Sequence, residues 1–165
     1  MRRRLLVVST LLAALAFAPA ATANKPIREI IPAPDDMVIS GQCEFPVFGH
    51  IQGSEIDTTF INKAGDAVKL LAVFPGNTLT LTSLDDTDKS LTLGATGSFQ
   101  LRAKPDGTLS GMVTGRGVWL GNPVTSEPGI WYQNGRVSAN LDAAGNTTSV
   151  RSTGTLVNVC PLLAS

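Results

Sequence analysis

The sequence has almost none of the side chains from which most enzyme mechanisms are built. Its 165 residues include one histidine, His50, and two cysteines, Cys43 and Cys160. A Ser-His-acid triad would have to use His50, yet no Gly-x-Ser-x-Gly elbow offers it a serine. The plainer reading of His50 is a surface or satisfied strand residue. Two lone cysteines supply too few ligands for a structural metal site. Large aromatics are scarce as well: aromatic residues make up 5%, with two Trp and one Tyr. Neither charge sign is in excess, with 13 Lys and Arg against 13 Asp and Glu. Without a basic run past residue 4, the chain lacks the footprint of a nucleic-acid binder or of a protein drawn to anionic lipid.

There is one long apolar run, at residues 5–17. It follows Arg2-Arg3-Arg4 and leads to Ala21-Thr22-Ala23, a small-x-small cleavage site. Residues 1–23 therefore read as a signal peptide, with Asn24 as the mature start. The run falls short of the ~20 residues that span a bilayer, so no membrane insertion is expected after cleavage. Ser40-Gly41-Gln42 is no lipobox for Cys43. With the three leader arginines gone, ten basic residues face 13 acidic ones, a net charge of −3. The expected location is extracellular, where a lone cysteine pair oxidises. A Cys43–Cys160 disulfide would close nearly the whole mature chain, stabilising it by about 4–5 kcal/mol in the chain-entropy model.

What the sequence has in plenty is glycine, 16 residues, together with recurrent threonine. That composition points to an all-β fold with many turns. Residues 24–40 hold Pro26, Pro32 and Pro34 and read as an extended arm rather than a central strand. Residues 41–165 read as a single β domain. Residues 45–51 and 56–61 form the first strands, and residues 68–74 look apolar enough to be covered on both faces. Thr78-Leu79-Thr80-Leu81-Thr82 alternates with period 2, as do Leu91 and Leu93, and then Phe99, Leu101 and Ala103. Residues 108–120 form a glycine-rich strand in which Gly111, Gly115 and Gly117 mark bends or bulges.

The turns expected between these strands lie at residues 62–66, 75–77, 85–88, 105–107 and 143–146. Asn134-Gly135 is expected to be a hairpin turn separating strands at 130–133 and 136–141. Residues 121–129, with Pro123 and Pro128, are the longest irregular link, and a last strand runs over residues 148–159. Such short links leave no room for crossover helices. The expectation is an antiparallel meander of about 8–10 strands closed into a β-barrel, with a two-sheet sandwich as the alternative. In the barrel, the disulfide would join first and last strands as neighbours across the closure.

Three features hint at chemistry. Asp85, Asp86 and Asp88 are carboxylates of the kind calcium favours, but they lack EF-hand offsets and read as turn formers. Asn146-Thr147-Thr148 matches a glycosylation sequon and reads, behind a bacterial-type leader, as a turn. Trp119, Trp131 and Tyr132 flank the 121–129 link with Arg116 and Arg136 nearby. Aromatics beside arginines can make a ligand mouth, and large aromatics can equally fill a core.

Cys43-Glu44-Phe45-Pro46-Val47, Pro128-Gly129-Ile130-Trp131, Gly135-Arg136-Val137 and Val159-Cys160 together resemble a family of small exported actinobacterial β-proteins. That resemblance covers most of the mature chain and brings no catalytic role to any residue. Lipocalins, avidins and dirigent-like cyclases share the general layout, though no lipocalin Gly-x-Trp stands near the first strand. The reading that follows is a secreted, non-catalytic β module for a small apolar ligand or a cell-envelope partner. No cofactor and no metal are implied, and nothing sets an oligomeric state. The alternative is a barrel enzyme of cyclase or isomerase type that shapes a small apolar substrate, with Arg116, Arg136, Tyr132 or His50 as interior polar groups.

Overall fold

The leucine–threonine alternation at residues 78–83 becomes a strand with Leu79 and Leu81 buried and its threonines half exposed. The computed structural model describes residues 25–32 and 36–164, so the expected signal peptide lies outside the described residues. Among the described residues eleven strands are formed: β1 (Ile27–Pro32), β2 (Met37–Ile39), β3 (Val47–Gln52), β4 (Ser54–Ile61), β5 (Ala67–Val73), β6 (Thr78–Ser83), β7 (Ser90–Gly94), β8 (Gly97–Ala103), β9 (Leu109–Leu120), β10 (Ile130–Leu141) and β11 (Thr147–Asn158). One short helix, α1 (Cys160–Leu163), follows them.

All the strand pairings are antiparallel, and the all-β expectation stands. The closed barrel does not. The strands divide into a seven-stranded sheet, β1-β4-β5-β8-β9-β10-β11, and a four-stranded sheet, β2-β3-β6-β7. No pairing joins β1 to β11 among the described residues. This is the two-sheet arrangement held as the alternative.

The division has a local cause. β3 passes to β4 across Gly53 alone, β5 to β6 across residues 74–77, and β7 to β8 across Ala95 and Thr96. Each pair is in effect one long strand, bent in the middle so that its halves serve different sheets. The meander order is thus kept while the layer folds. Asn77 fastens the crossings together. It is 3% exposed, its Oδ1 accepts the Ser54 N–H at 3.0 Å, and its carbonyl accepts the Ala95 N–H at 2.8 Å.

The crease continues through the larger sheet as a row of glycines. Gly97 pairs with Gly115, Gly115 with Gly135, and Gly135 with Gly154. The last three have φ of 90°, 143° and 105°. A Cβ on Gly135 would lie 2.3 Å from the Thr153 carbonyl oxygen, and one on Gly154 would lie 2.4 Å from that of Asn134. The backbones approach too closely there for any side chain. Asn134-Gly135 is therefore not the hairpin turn expected; it lies mid-strand in β10, which runs through the crease unbroken.

The fold at this row is sharp. A straight β10 would hold Trp131 and Ala139 about 26 Å apart. Yet Ala139 and Trp119, the cross-strand partner of Trp131, line one cleft.

The core sits between the four-stranded sheet and the β9–β10 end of the larger one. Val47, Leu81, Ile130 and Leu163 are fully buried there, with Ile39, Leu79 and Val159 beside them. Helix α1 takes part in place of a further strand. Leu163 reaches into this core, and the Val159 N–H donates to the Ile130 carbonyl at 2.8 Å. The Cys43–Cys160 disulfide forms, with Cα atoms 5.5 Å apart and a sequence separation of 117. It joins the segment before β3 to α1, and not the first strand to the last, because no barrel seam exists for it to bridge.

One refinement and one further correction follow from the division into sheets. Part of the arm at residues 24–40 forms β1 and β2, each an edge strand, which is where proline is tolerated. β5 was expected to be covered on both faces, but only Ala72 of it is buried, because no second layer lies over both faces. The turns at residues 62–66, 105–107 and 143–146 close as the sequence indicates. In each, the last peptide carbonyl accepts from the first N–H: Asn62 to Asp66, Lys104 to Thr108, and Asp142 to Asn146.

Candidate functional site

Bending a half-buried sheet leaves space wherever side chains on the two sides of the fold are too small to meet. Two clefts border this crease, and Trp119 belongs to the wall of both. Its ring is fixed by its polar edge. Nε1 donates to Gln133 Oε1 at 2.7 Å, and Gln133 is 1% exposed. The Gln133 amide nitrogen in turn donates to the Gly135 carbonyl at 3.1 Å, tying the tryptophan to the glycine row.

The first cleft lies between the sheets and has a volume of about 390 Å³. Ile51 and Leu79 come from the smaller sheet, and Phe99, Val113 and Trp119 from the larger, with Phe74 at the crossing. Glycines at 97 and 117 keep it open, and a Cβ on Gly117 would meet nothing within 4 Å. The polar groups on its wall are few: Glu55, Asn77, Ser98 and Arg116. The Asn77 oxygens are already engaged by Ser54 and Ala95, and the Ser98 hydroxyl pairs with that of Thr114 at 2.8 Å. Burial raises the Glu55 carboxyl above its ordinary value, and the Asp57 carboxyl two residues on adds to the effect. Asp57 Oδ1 is itself buried without a hydrogen-bond partner among the described residues.

The second cleft, about 440 Å³, lies on the concave side of the bend. Gln42, the 121–129 link, and Val137, Ala139, Thr147 and Val150 surround it, without a charged side chain. The link is held from within. Gly121 N–H donates to the Gly129 carbonyl at 2.8 Å, and the Asn122 side-chain oxygen accepts from Val124 and Thr125. Gln42 Oε1 ties it to the disulfide segment by accepting the Gly129 N–H at 3.1 Å.

Of the five side chains expected at a ligand mouth, Arg116 and Trp119 line the inter-sheet cleft. The other three serve elsewhere. The Tyr132 hydroxyl donates to the Gly94 carbonyl at 3.2 Å and packs against the core. Trp131 has a buried Nε1 without a partner among the described residues, and Arg136 is exposed on β10. His50 pairs through Nδ1 with the Asp36 carboxylate, and both are about half exposed. Among the described residues no serine hydroxyl bonds to it. Asp86 shapes its turn by accepting from the Asp88 N–H.

Sequence reasoning missed Glu55, Phe74, Phe99 and Val113 as cleft residues. The usable signal was the interruption of alternation by glycine at 97, 115 and 117, which marks where a wall must thin. Compared with known proteins, the chain matches no family model, no curated protein and no solved structure.

Proposed function

We propose that this protein is an exported, non-catalytic binding module whose inter-sheet cleft holds a small apolar ligand. The observation that carries the reading is the cleft itself: about 390 Å³ of space walled by Ile51, Phe74, Leu79, Phe99, Val113 and Trp119. Apolar walls of this kind gain on the order of 25 cal/mol per Å² of apolar surface covered, and a small ligand needs little else. Catalysis by substrate shaping would need polar groups converging inside. Here Asn77 and Ser98 are engaged in holding the fold, which leaves Glu55 and Arg116, and that favours binding over a cyclase or isomerase.

Export rests on the leader-like residues 1–23 and is supported by the Cys43–Cys160 bond, which persists in oxidising compartments. No described helix is long and apolar enough to cross a membrane. Kinship with the small exported actinobacterial β-proteins belongs to the same proposal and rests on the short sequence motifs alone. Native mass spectrometry of protein purified from its own culture medium tests the reading. A bound apolar mass is expected on the wild type and not on Gly117→Leu, where a side chain fills the cleft. Two chains that each show only their own bare mass would speak against it.

A further inference from the structure

The second cleft has a different chemistry from the first, with which it shares Trp119. We propose that it binds a neutral saccharide. Four side-chain groups on its wall have no protein partner among the described residues: Gln42 Nε2, Asn122 Nδ2, Ser126 Oγ and Thr147 Oγ1. Asn122 is the most telling. It is 8% exposed, and two backbone N–H groups bind its Oδ1, so the amide orientation is fixed and its NH₂ is left without a protein partner among the described residues. A donor oriented in this way is a preorganised contact.

The remaining groups fit the same occupant. Sugars present hydroxyls that donate and accept at close spacing, together with C–H faces that pack on aromatic carbons. Trp119 supplies such carbons, since its N–H is held by Gln133. Among the described residues the wall carries no charged side chain, which disfavours phosphate, carboxylate or amine ligands that need an ionic partner.

The loop is also set at some conformational cost. Ser126, with φ of 61°, is the one non-glycine residue in the left-handed region among the described residues, and it lies on this wall. Such strain persists where neighbouring bonds over-determine it, here Ser126 N–H to the Asn122 carbonyl and Asn122 N–H to that of Glu127.

The test is a titration of isotope-labelled full-length mature protein, followed by NMR, with maltotriose, cellotriose and triacetylchitotriose, and separately with a triproline peptide. At least one trisaccharide is expected to shift the Trp119 indole N–H and the Asn122 side-chain amide saturably. Thr147→Val and Ser126→Gly should each weaken that binding about fivefold, the loss of one hydrogen bond. Ser126→Gly suits the local φ, so a folding defect does not confound it. Gly117→Leu should leave saccharide binding intact, which separates this cleft from the apolar one. The proposal fails if no trisaccharide shifts these groups at millimolar concentration. It also fails if both variants bind as the wild type does, or if only the peptide binds.

Discussion

A single missing atom organises much of this molecule. At Gly135 a Cβ would stand 2.3 Å from the Thr153 carbonyl oxygen, at a φ of 143° that side chains avoid. Gly135→Ala is accordingly expected to cost at least about 3 kcal/mol, combining steric overlap with backbone strain. Gly117→Ala, two positions along β9 from the crease and with open space around its Cβ, should stay within about 0.5 kcal/mol of wild type. Urea unfolding of the two variants makes the comparison, and equal midpoints would contradict the crease.

Glu55 supplies a pH test. Its carboxyl titrates above its ordinary 4.5 in the folded protein, first through burial and then through the nearby Asp57. The native state thus keeps a proton that the unfolded chain has released. Stability from this group is complete below about 4.5 and declines as pH rises from there through the raised folded value. Glu55→Gln should remove that decline and stabilise the protein at neutral pH. Asp106 and Asp142 act in the opposite sense. Bonds from Thr108 and from Asn146 lower them below 3.8, so their contribution is present above that value and lost as pH falls through the folded one. Both are fully exposed turn residues, so little of the profile is expected from them. A Glu55→Gln profile that declines above about 4.5 as steeply as the wild type would sink the assignment.

At the scale of elements, the readable parts were those that a local pattern dictates. Leu79 and Leu81 alternate with threonine, and their strand is buried on that rhythm. Asn62, Lys104 and Asp142 open turns that close with the bonds their residue types favour. Asn134-Gly135 shows the limit of such reading. The dipeptide is a good hairpin turn, and also the composition a sheet needs where backbones nearly touch. Nothing local separates the two, since the deciding contacts come from Gly115 and Gly154, about 20 residues away on either side.

Helix α1 was likewise illegible. Its four residues carry no periodicity, and its position is set by the Cys43 bond and the burial of Leu163. Because the disulfide anchors α1, whose Leu163 is fully buried in the core, it should matter more than a surface staple. Reduction, or a Cys43→Ser, Cys160→Ser double variant, is expected to cost about 3–5 kcal/mol. Denaturant titration with and without reductant reads this directly, and a loss below about 1 kcal/mol would mean that packing alone holds α1 in place.

For the whole molecule, one bend line accounts for the failure of the barrel and for both clefts. The sequence carried the meander order but not its closure, because closure depends on how far each strand turns at its glycine. It carried Arg116 and Trp119, which line the inter-sheet cleft, because an aromatic beside an arginine is visible in one dimension. Glu55, Phe99 and Val113 were not visible, since they come together only once β4, β8 and β9 are laid side by side around the crease. The edge strands β1 and β11 remain open, with Ile30 of β1 71% exposed. Among the described residues the sheet ends there without a covering element.

The most direct measurement uses the fact that the chain has two tryptophans. In Trp131→Phe, Trp119 becomes the sole reporter, and its emission is followed while medium-chain alcohols and cyclic terpenes are added. The account predicts a saturable change with at least one of these probes, abolished when Gly117→Leu is added to the same chain. An emission spectrum that no probe alters, or a change that survives the filled cleft undiminished, would contradict it.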